Sequence, residues 1–443
     1  MAAAIPHSPS PLAASPEKAT VRAWVVCLTA ALFFFYEFIQ MNMFDAISKE
    51  LMFAFKINAG QLGIMSSYYF IANVIFLFVA GALLDRYSTK KIILLSLAIC
   101  ILGTALFSFM TSFVWATVCR FLTGIGSAFC FLSCIRLASR WFPPHRMALI
   151  TGFIVTLAMA GGMVAQAPLS WLVEQLQWRH ALLVDAAFGG FIFFVILLVV
   201  KDYPSATIAS EQSQLEERLY QLGYWQSLRL AFFRGQNWLA ALYTCFMNLP
   251  LIVLGGLWGA LYLMDAHHIA KASATNAVSM LFVGTIIGAP VMGWFSDKIK
   301  RRRLPMLAGS VIALIFLLLV IYLHPLSLSM LMILFFLIGF ITSTQVIPYA
   351  YVAENSPRMI TAMSVSVVNI TTQGGIAFFQ PLFGYLMDLH AGGAHSGWGA
   401  YQASDFTWAM LLFPAGVIIS FIVAFLLRET YCQSIEESAD VDG

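Results

Sequence analysis

The stretch Gly81-Ala82-Leu83-Leu84-Asp85-Arg86 returns 212 residues later as Gly293-Trp294-Phe295-Ser296-Asp297-Lys298. Each copy leaves an apolar run of helical length. Two further markers keep the spacing. Arg146-Met147 returns as Arg358-Met359 at the same offset, and Gly161-Gly162 with Pro168-Leu169 returns as Gly374-Gly375 with Pro381-Leu382 at an offset of 213. One marker alone would carry little. Three collinear markers whose offsets agree to within one residue identify an internally repeated chain.

The composition says what kind of chain is repeated. It has 443 residues, 60% hydrophobic and 10% charged, with a mean hydropathy of +0.84. A soluble domain carries about 25% charged residues, so a water-facing surface cannot be built here. A net charge of +3 gives no electrostatic reason to expect a nucleic-acid partner. The lipid bilayer is the expected solvent.

A spanning helix needs about 20 mostly apolar residues. Segments that qualify start near Arg22, Gln61, Ile92, Ser112, Met147, His180, Asn237, Ala274, Leu304, Ser327, Ile360 and Phe406. The expected fold is therefore an all-α membrane protein: twelve transmembrane helices in two pseudo-symmetric six-helix bundles, related by an axis along the membrane normal. The boundaries read as a disordered cytosolic tail over 1–20, a first bundle over 21–201, a cytosolic linker over 202–236, a second bundle over 237–428 and a disordered tail over 429–443. In the linker, Leu215, Leu219, Leu222 and Trp225 recur at helical spacing, which predicts an amphipathic helix along the membrane surface.

Orientation follows from Lys and Arg. With the N-terminus in the cytosol, the opposite face holds only Lys49, Lys56, Arg179 and Lys271. Arg86, Lys90, Lys91, Arg140, Lys298 and the run Lys300 to Arg303 all fall on the cytosolic side. Both termini are expected in the cytoplasm and the membrane is expected to be a bacterial inner membrane. The seven cysteines form no CxxC pair. Six lie in apolar segments and read as small buried hydrophobes. No cofactor or metal is expected.

Around Gly81 the chain resembles the major facilitator superfamily, whose loop between helices two and three reads Gly-x-x-x-Asp-Arg-x-Gly-Arg-Lys. Gly81, Asp85, Arg86 and Lys90 match it, while Ser88 and Thr89 depart from it. The second half matches at Gly293, Asp297, Lys298, Arg301 and Arg302. A second family pattern, Arg-Phe-x-x-Gly-x-Gly in helix four, is met by Arg120, Phe121, Gly124 and Gly126. The resemblance implies a secondary transporter working by alternating access, with the two loops gating its cytoplasmic side. Arg140-Trp141-Phe142-Pro143-Pro144 is similar to the helix-four exit of organic-anion symporters, and Tyr36-Glu37 more loosely to the lysosomal dipeptide carriers.

Ionisable groups inside hydrocarbon cost several kcal/mol and mark pathways or partners. Glu37 lies eight residues before Asp45, and Arg120 eight residues past Ser112. At about 1.5 Å per residue both sit roughly 12 Å below the outer surface. In the family both helices line the central cavity, so the two are expected to face each other. An arginine beside a carboxylate opposes its protonation; a substrate that draws Arg120 away would let Glu37 take a proton, and the two would bind together. By resemblance this is symport, as in family members that place an acid in helix one near the helix-four arginine. The bland alternative is a structural ion pair. Sixteen residues on, Arg136 lies about 160° round the helix from Arg120 and reads as a snorkelling side chain, with a role in substrate release on the cytosolic side as the alternative.

Helical phase supplies the remaining cavity candidates, for substrate binding or for gluing helices together: Tyr36 and Gln40, Tyr69 with Asn73, Gln345 with Tyr349, and Asn369 with Gln373, each pair i, i+4, together with Gln166 and Asn248. No HExxH, GxSxG or nucleotide-binding loop is present, which argues against an enzyme or a primary pump. The expectation is a carrier, acting as a monomer, for protons and a small anionic or zwitterionic metabolite: organic acid, amino acid, short peptide or siderophore. A drug–proton antiporter and a non-transporting receptor on the same fold are the alternatives.

Overall fold

The computed structural model describes residues 21–142, 146–203, 232–323, 326–356, 361–392 and 401–433, with the backbone alone at 82, 85, 86, 148 and 361–363. The segment 1–20, the amphipathic linker helix and the tail from residue 434 lie outside the described residues.

Among the described residues, ten helices are long and apolar enough to cross a membrane. One of them, Leu149–Val199, is 51 residues long. It breaks where Gln177 adopts a left-handed φ of 63°, separating two crossings. The 30-residue helix Thr361–His390 completes twelve. In chain order they are α1 Val21–Phe55, α2 Ala59–Arg86, α3 Thr89–Phe109, α4 Phe113–Trp141, α5 147–176, α6 178–199, α7 Gly235–Ala266, α8 Lys271–Lys298, α9 Arg303–Tyr322, α10 Leu328–Glu354, α11 Thr361–His390 and α12 Ala403–Leu426. The apolar runs dictate helices because hydrocarbon offers no partner to a free amide. Their starting points follow local chemistry. Asn58 and Gln61 form a reciprocal capping box at α2, and Ser88 and Ser327 accept backbone N–H groups at the starts of α3 and α10. Large apolar side chains such as Leu102, Trp115, Phe191, Phe194, Phe378 and Phe425 face outward, as a lipid-facing surface requires.

Twelve crossings place both termini at one end, here the proximal end; the other is distal. α1–α6 and α7–α12 each form a bundle, joined where α2 packs on α11, α5 on α8 and α1 on α7. The first two contacts exchange under the pseudo-twofold that the sequence repeat implies. Close approach at α2–α11 depends on Gly63, where a Cβ would fall 2.6 Å from Pro381 Cα. α7 is not a plain helix. Pro250, which has no N–H to donate, opens a π-helical stretch Pro250–Trp258, and α-helix resumes at Gly259.

Gly124, from the helix-four pattern, is where α4 meets α2. A Cβ there would lie 2.2 Å from the Tyr69 carbonyl oxygen. Gly124→Val is expected to wedge the helices apart, lowering thermal stability by about 1–3 kcal/mol and displacing Tyr69. Thermal unfolding in detergent checks this, with Gly190→Ala, where a Cβ meets nothing within 4 Å, as the silent control.

Candidate functional site

A polar cluster lies inside the first bundle. Glu37 on α1 is buried, and its Oε1 accepts the Tyr69 hydroxyl of α2 at 2.5 Å. Arg120 on α4 is fully buried; its Nη1 donates to the Gln40 carbonyl oxygen at 3.0 Å. The guanidinium lies 4.3 Å from the Phe44 ring centroid and 4.8 Å from that of Tyr69. Glu37 and Arg120 do not bond to each other: Glu37 Oε2 and Arg120 Nε and Nη2 meet no hydrogen-bond partner. Tyr69 stands between them, hydroxyl on the acid and ring under the base. The expected face-to-face pair is thus a three-residue arrangement, because the phenol fills the space that a direct contact would need.

Gln40 extends the cluster. Its side-chain amide donates to Asp185 Oδ2 on α6 at 2.5 Å, and its Oε1 accepts the Thr104 hydroxyl of α3 at 2.6 Å. The cluster therefore holds two buried carboxylates and one buried guanidinium, joined through Gln40 and Tyr69. Tyr36 is fully buried with its hydroxyl unbonded, packed against Gly189 of α6. It faces away from Glu37, as adjacent helical positions must.

The second bundle offers neutral groups. Asn248, Tyr349, Asn369 and Gln373 are half-buried, and Gln345 is buried. Gln373 Nε2 reaches Asn73 Oδ1 of α2 across the bundles at 3.5 Å, and Asn73 donates to Ser127 of α4 at 2.7 Å. Gln166 is drawn elsewhere: buried on α5, it donates to the Gly255 carbonyl in the π-helical part of α7 at 2.5 Å. Arg136 is half-buried.

The paired loops are tied within their own bundles. The side chains of Asp85 and Arg86 lie outside the described residues. Lys90 donates its N–H to Asp202 Oδ1 and its Nζ to the Leu197 carbonyl. Ser88, where the family pattern has glycine, caps α3 and hydrogen-bonds Asp202, and Thr89 accepts from Arg140 at 2.9 Å. In the second loop Asp297 accepts from Arg302 Nη1 at 2.6 Å, while Lys298 lies over Trp294 and Gly293 has nothing near its missing Cβ. Arg302, rather than Lys298 or Arg301, organises this corner, binding Glu354 at 2.5 Å and giving its backbone N–H to Glu429. Burial opposes its charge, but the hydrogen bonds of Glu354 and Asp297 outweigh that and raise the guanidinium above the ordinary arginine range.

Asp185 and Gln380 escaped the sequence reading. Asp185 could have been found by the rule that singled out Glu37, a lone acid within an apolar span. Gln380 carries no such signal. It is fully buried on α11, accepts from Ser66 Oγ of α2 at 2.7 Å, and donates to the Ile252 carbonyl of α7 at 3.1 Å.

Among the described residues, hydrogen bonds between bundles run from the middle, at Gln373–Asn73, to the distal end and no further toward the proximal one. The molecule is closed distally.

The family model described as the Major Facilitator Superfamily matches residues 26–255 and 249–438. The chain is 26% identical to the phosphoglycerate transporter protein of Salmonella typhimurium over 379 residues, 79% of this chain and 80% of that one. It is also 26% identical to the membrane sensor protein UhpC of the same organism over 299 residues, 63% of this chain and 65% of that one. The solved structure of a D-xylose-proton symporter superposes with a TM-score of 0.74 at 12% identity, covering 93% of this chain and 99% of that chain. That likeness concerns the fold.

Proposed function

The chain belongs to the Major Facilitator Superfamily, integral multi-pass transporters, and we propose that it is a proton-coupled symporter importing a small organic anion across a bacterial inner membrane by alternating access. The proximal end is the cytoplasmic one, since Lys49, Lys56, Arg179 and Lys271 are the cations at the distal end.

The observation that carries this reading is the Glu37–Tyr69–Arg120 arrangement, buried, charged and incompletely hydrogen-bonded. Arg120 Nε and Nη2 are fork donors of the kind that take a carboxylate or phosphate in bidentate fashion. A net charge is costly in hydrocarbon. Two carboxylates against one guanidinium are neutral only with one proton on the pair, and an arriving anion calls for a second. Tyr69 links the events: an anion that lifts the guanidinium from the ring disturbs the hydroxyl that serves Glu37. Proton and anion then load together. Asn248, Tyr349, Asn369 and Gln373 are left to read the neutral part of the substrate. Similarity to a phosphoglycerate transporter supports an anion; similarity to a membrane sensor supports the receptor reading.

Purified protein in liposomes separates them. With an inward acid gradient and a panel of phosphoglycerate, a hexuronate, a hexose phosphate and a neutral hexose, the expected result is accumulation of one anion or more, lost with an uncoupler. Uptake indifferent to the uncoupler, or confined to the neutral hexose, overturns symport of anions. Ligand-induced thermal stabilisation without any uptake favours the receptor.

A further inference from the structure

At the distal end each bundle offers a carboxylate to the start of a helix in the other. Asp45, on α1, is 1% exposed, and its Oδ1 accepts the N–H of Ala260 at 2.9 Å. Ala260 is the second residue of the α-helix that resumes after the π-helical stretch of α7. Asp388, on α11, accepts the N–H of Gly60 at 2.9 Å, the second residue of α2. The two contacts mirror each other. In the first, the acid belongs to the first bundle and the helix to the second; in the next the roles are exchanged.

The partners of Asp388 make its side of the arrangement stiff. The Tyr401 hydroxyl donates to Asp388 Oδ1 at 2.5 Å and accepts the N–H of Ala59 at 2.8 Å. Ala59 and Gly60, the first-turn amides of α2 that Asn58 does not serve, are thereby held from the opposite bundle. The first N–H groups of a helix have no partner within it, and the aligned peptide dipoles favour an anion there. A carboxylate placed on them is bonded twice over, by hydrogen bond and by field. Glu50 with Lys271 at 2.5 Å and Lys49 with Asp265 at 4.0 Å flank the pair as ion pairs across the same seam. These are the partly exposed kind that contribute little.

We infer that Asp45 and Asp388 are the distal gate, a reciprocal pair of carboxylate-to-helix clasps that hold the two bundles together in this state and must both release before the distal side can open. Each clasp exists only while the bundles touch. On opening, Asp45 and Asp388 and the amides of Gly60 and Ala260 all pass to water, which satisfies them. Asp45 Oδ2, buried here without a hydrogen-bond partner, is the one gate atom that opening would newly satisfy, so the gate sets an equilibrium between states. The assignment uses neither the identity of the substrate nor the proton chemistry of Glu37, so it stands or fails separately from them.

The test measures the distance between bundles directly. Nitroxides are attached at Lys56→Cys, in the first bundle, and Ala270→Cys, in the second, with Cys432→Ser removing the one native cysteine that is not buried. Lys56 and Ala270 are both exposed distal positions. The parent is expected to give one dominant short distance by pulsed electron resonance in liposomes. Asp45→Ala and Asp388→Ala are each expected to raise the ratio of open to closed molecules about tenfold, seen as a growing long-distance population, with the double variant beyond either. Tyr401→Phe, which removes one hydroxyl and no volume, is expected to shift the ratio in the same direction by a smaller factor. Asp405→Ala is the control: Asp405 is distal and buried but serves only His390 and the backbone of Gln402 in its own bundle. Unaltered distances in Tyr401→Phe and in both aspartate variants, each eluting as a monodisperse folded protein, overturn the gate. If the alanine variants do not fold, the Tyr401→Phe distance distribution decides alone.

Discussion

Glu37→Gln is expected to abolish accumulation of substrate driven by a pH gradient while leaving exchange of substrate for substrate intact. For one proton moved with each monoanion, a gradient of one pH unit is worth about 1.4 kcal/mol and supports roughly a tenfold accumulation. The variant should equilibrate instead, losing that factor for every unit imposed. Glutamine keeps the volume of glutamate, and its carbonyl oxygen can still accept the Tyr69 hydroxyl that bonds Glu37 Oε1 at 2.5 Å. The packing of α1 on α2 and the approach of Arg120 to the Tyr69 ring are therefore retained. What is lost is the capacity to gain and release a proton. The measurement is uptake into liposomes with and without a gradient, alongside counterflow in preloaded ones. Undiminished accumulation would move the coupling away from Glu37, with Asp185 the other buried carboxylate of the cluster. Loss of counterflow as well would make Glu37 part of the substrate path.

The sequence made the architecture legible because membranes enforce it so strictly. Apolar runs of about 20 residues become helices whatever else they contain, and the starts expected near Gln61, Ile92, Ser112, Asn237, Ala274, Leu304 and Phe406 fall within three residues of observed ones. The repeat then fixed how the halves relate. The interior was less legible, for physical reasons that differ residue by residue. Glu37 and Arg120 stood out as charges in hydrocarbon, but nothing in the sequence says that Tyr69 will lie between them, since that depends on how α2 packs over α1 and α4. Gln166 looked like a neighbour of the substrate residues, yet it bonds Gly255, because Pro250 opens a π-helical stretch whose carbonyl geometry no periodicity rule foresees. Gln373 and Asn73 do meet, through the repeat-related packing of α2 on α11. In the second loop the resemblance matched Lys298, Arg301 and Arg302 alike and could not rank them; the geometry shows Arg302 bonded to both Asp297 and Glu354.

The second large effect concerns the charge balance of the cluster. Arg120→Gln removes the only buried cation among the described residues of the cluster and leaves Glu37 and Asp185 in hydrocarbon with no compensating charge. Removing one partner from a buried charged arrangement costs about 3–5 kcal/mol, and stability of the purified variant should fall by about that much. Uptake should fall to background, since the donors for the anion are gone. Stability alone would not separate an electrostatic role from a packing one, because Arg120 also fills the space between Phe44 and Tyr69. The double variant Arg120→Gln with Asp185→Asn does separate them. Asparagine can still accept the Gln40 amide that Asp185 accepts at 2.5 Å, so the hydrogen bond survives while one negative charge is removed. If charge balance governs the cluster, the second substitution restores at least half of the lost stability and none of the uptake. If the double variant is as unstable as the single one, the guanidinium is holding two aromatic rings apart, and the two carboxylates tolerate burial for another reason. The balance argument predicts the first outcome because Gln40 bonds Arg120 through its backbone and Asp185 through its side chain, so the loss of one charge is felt at the other through a single residue.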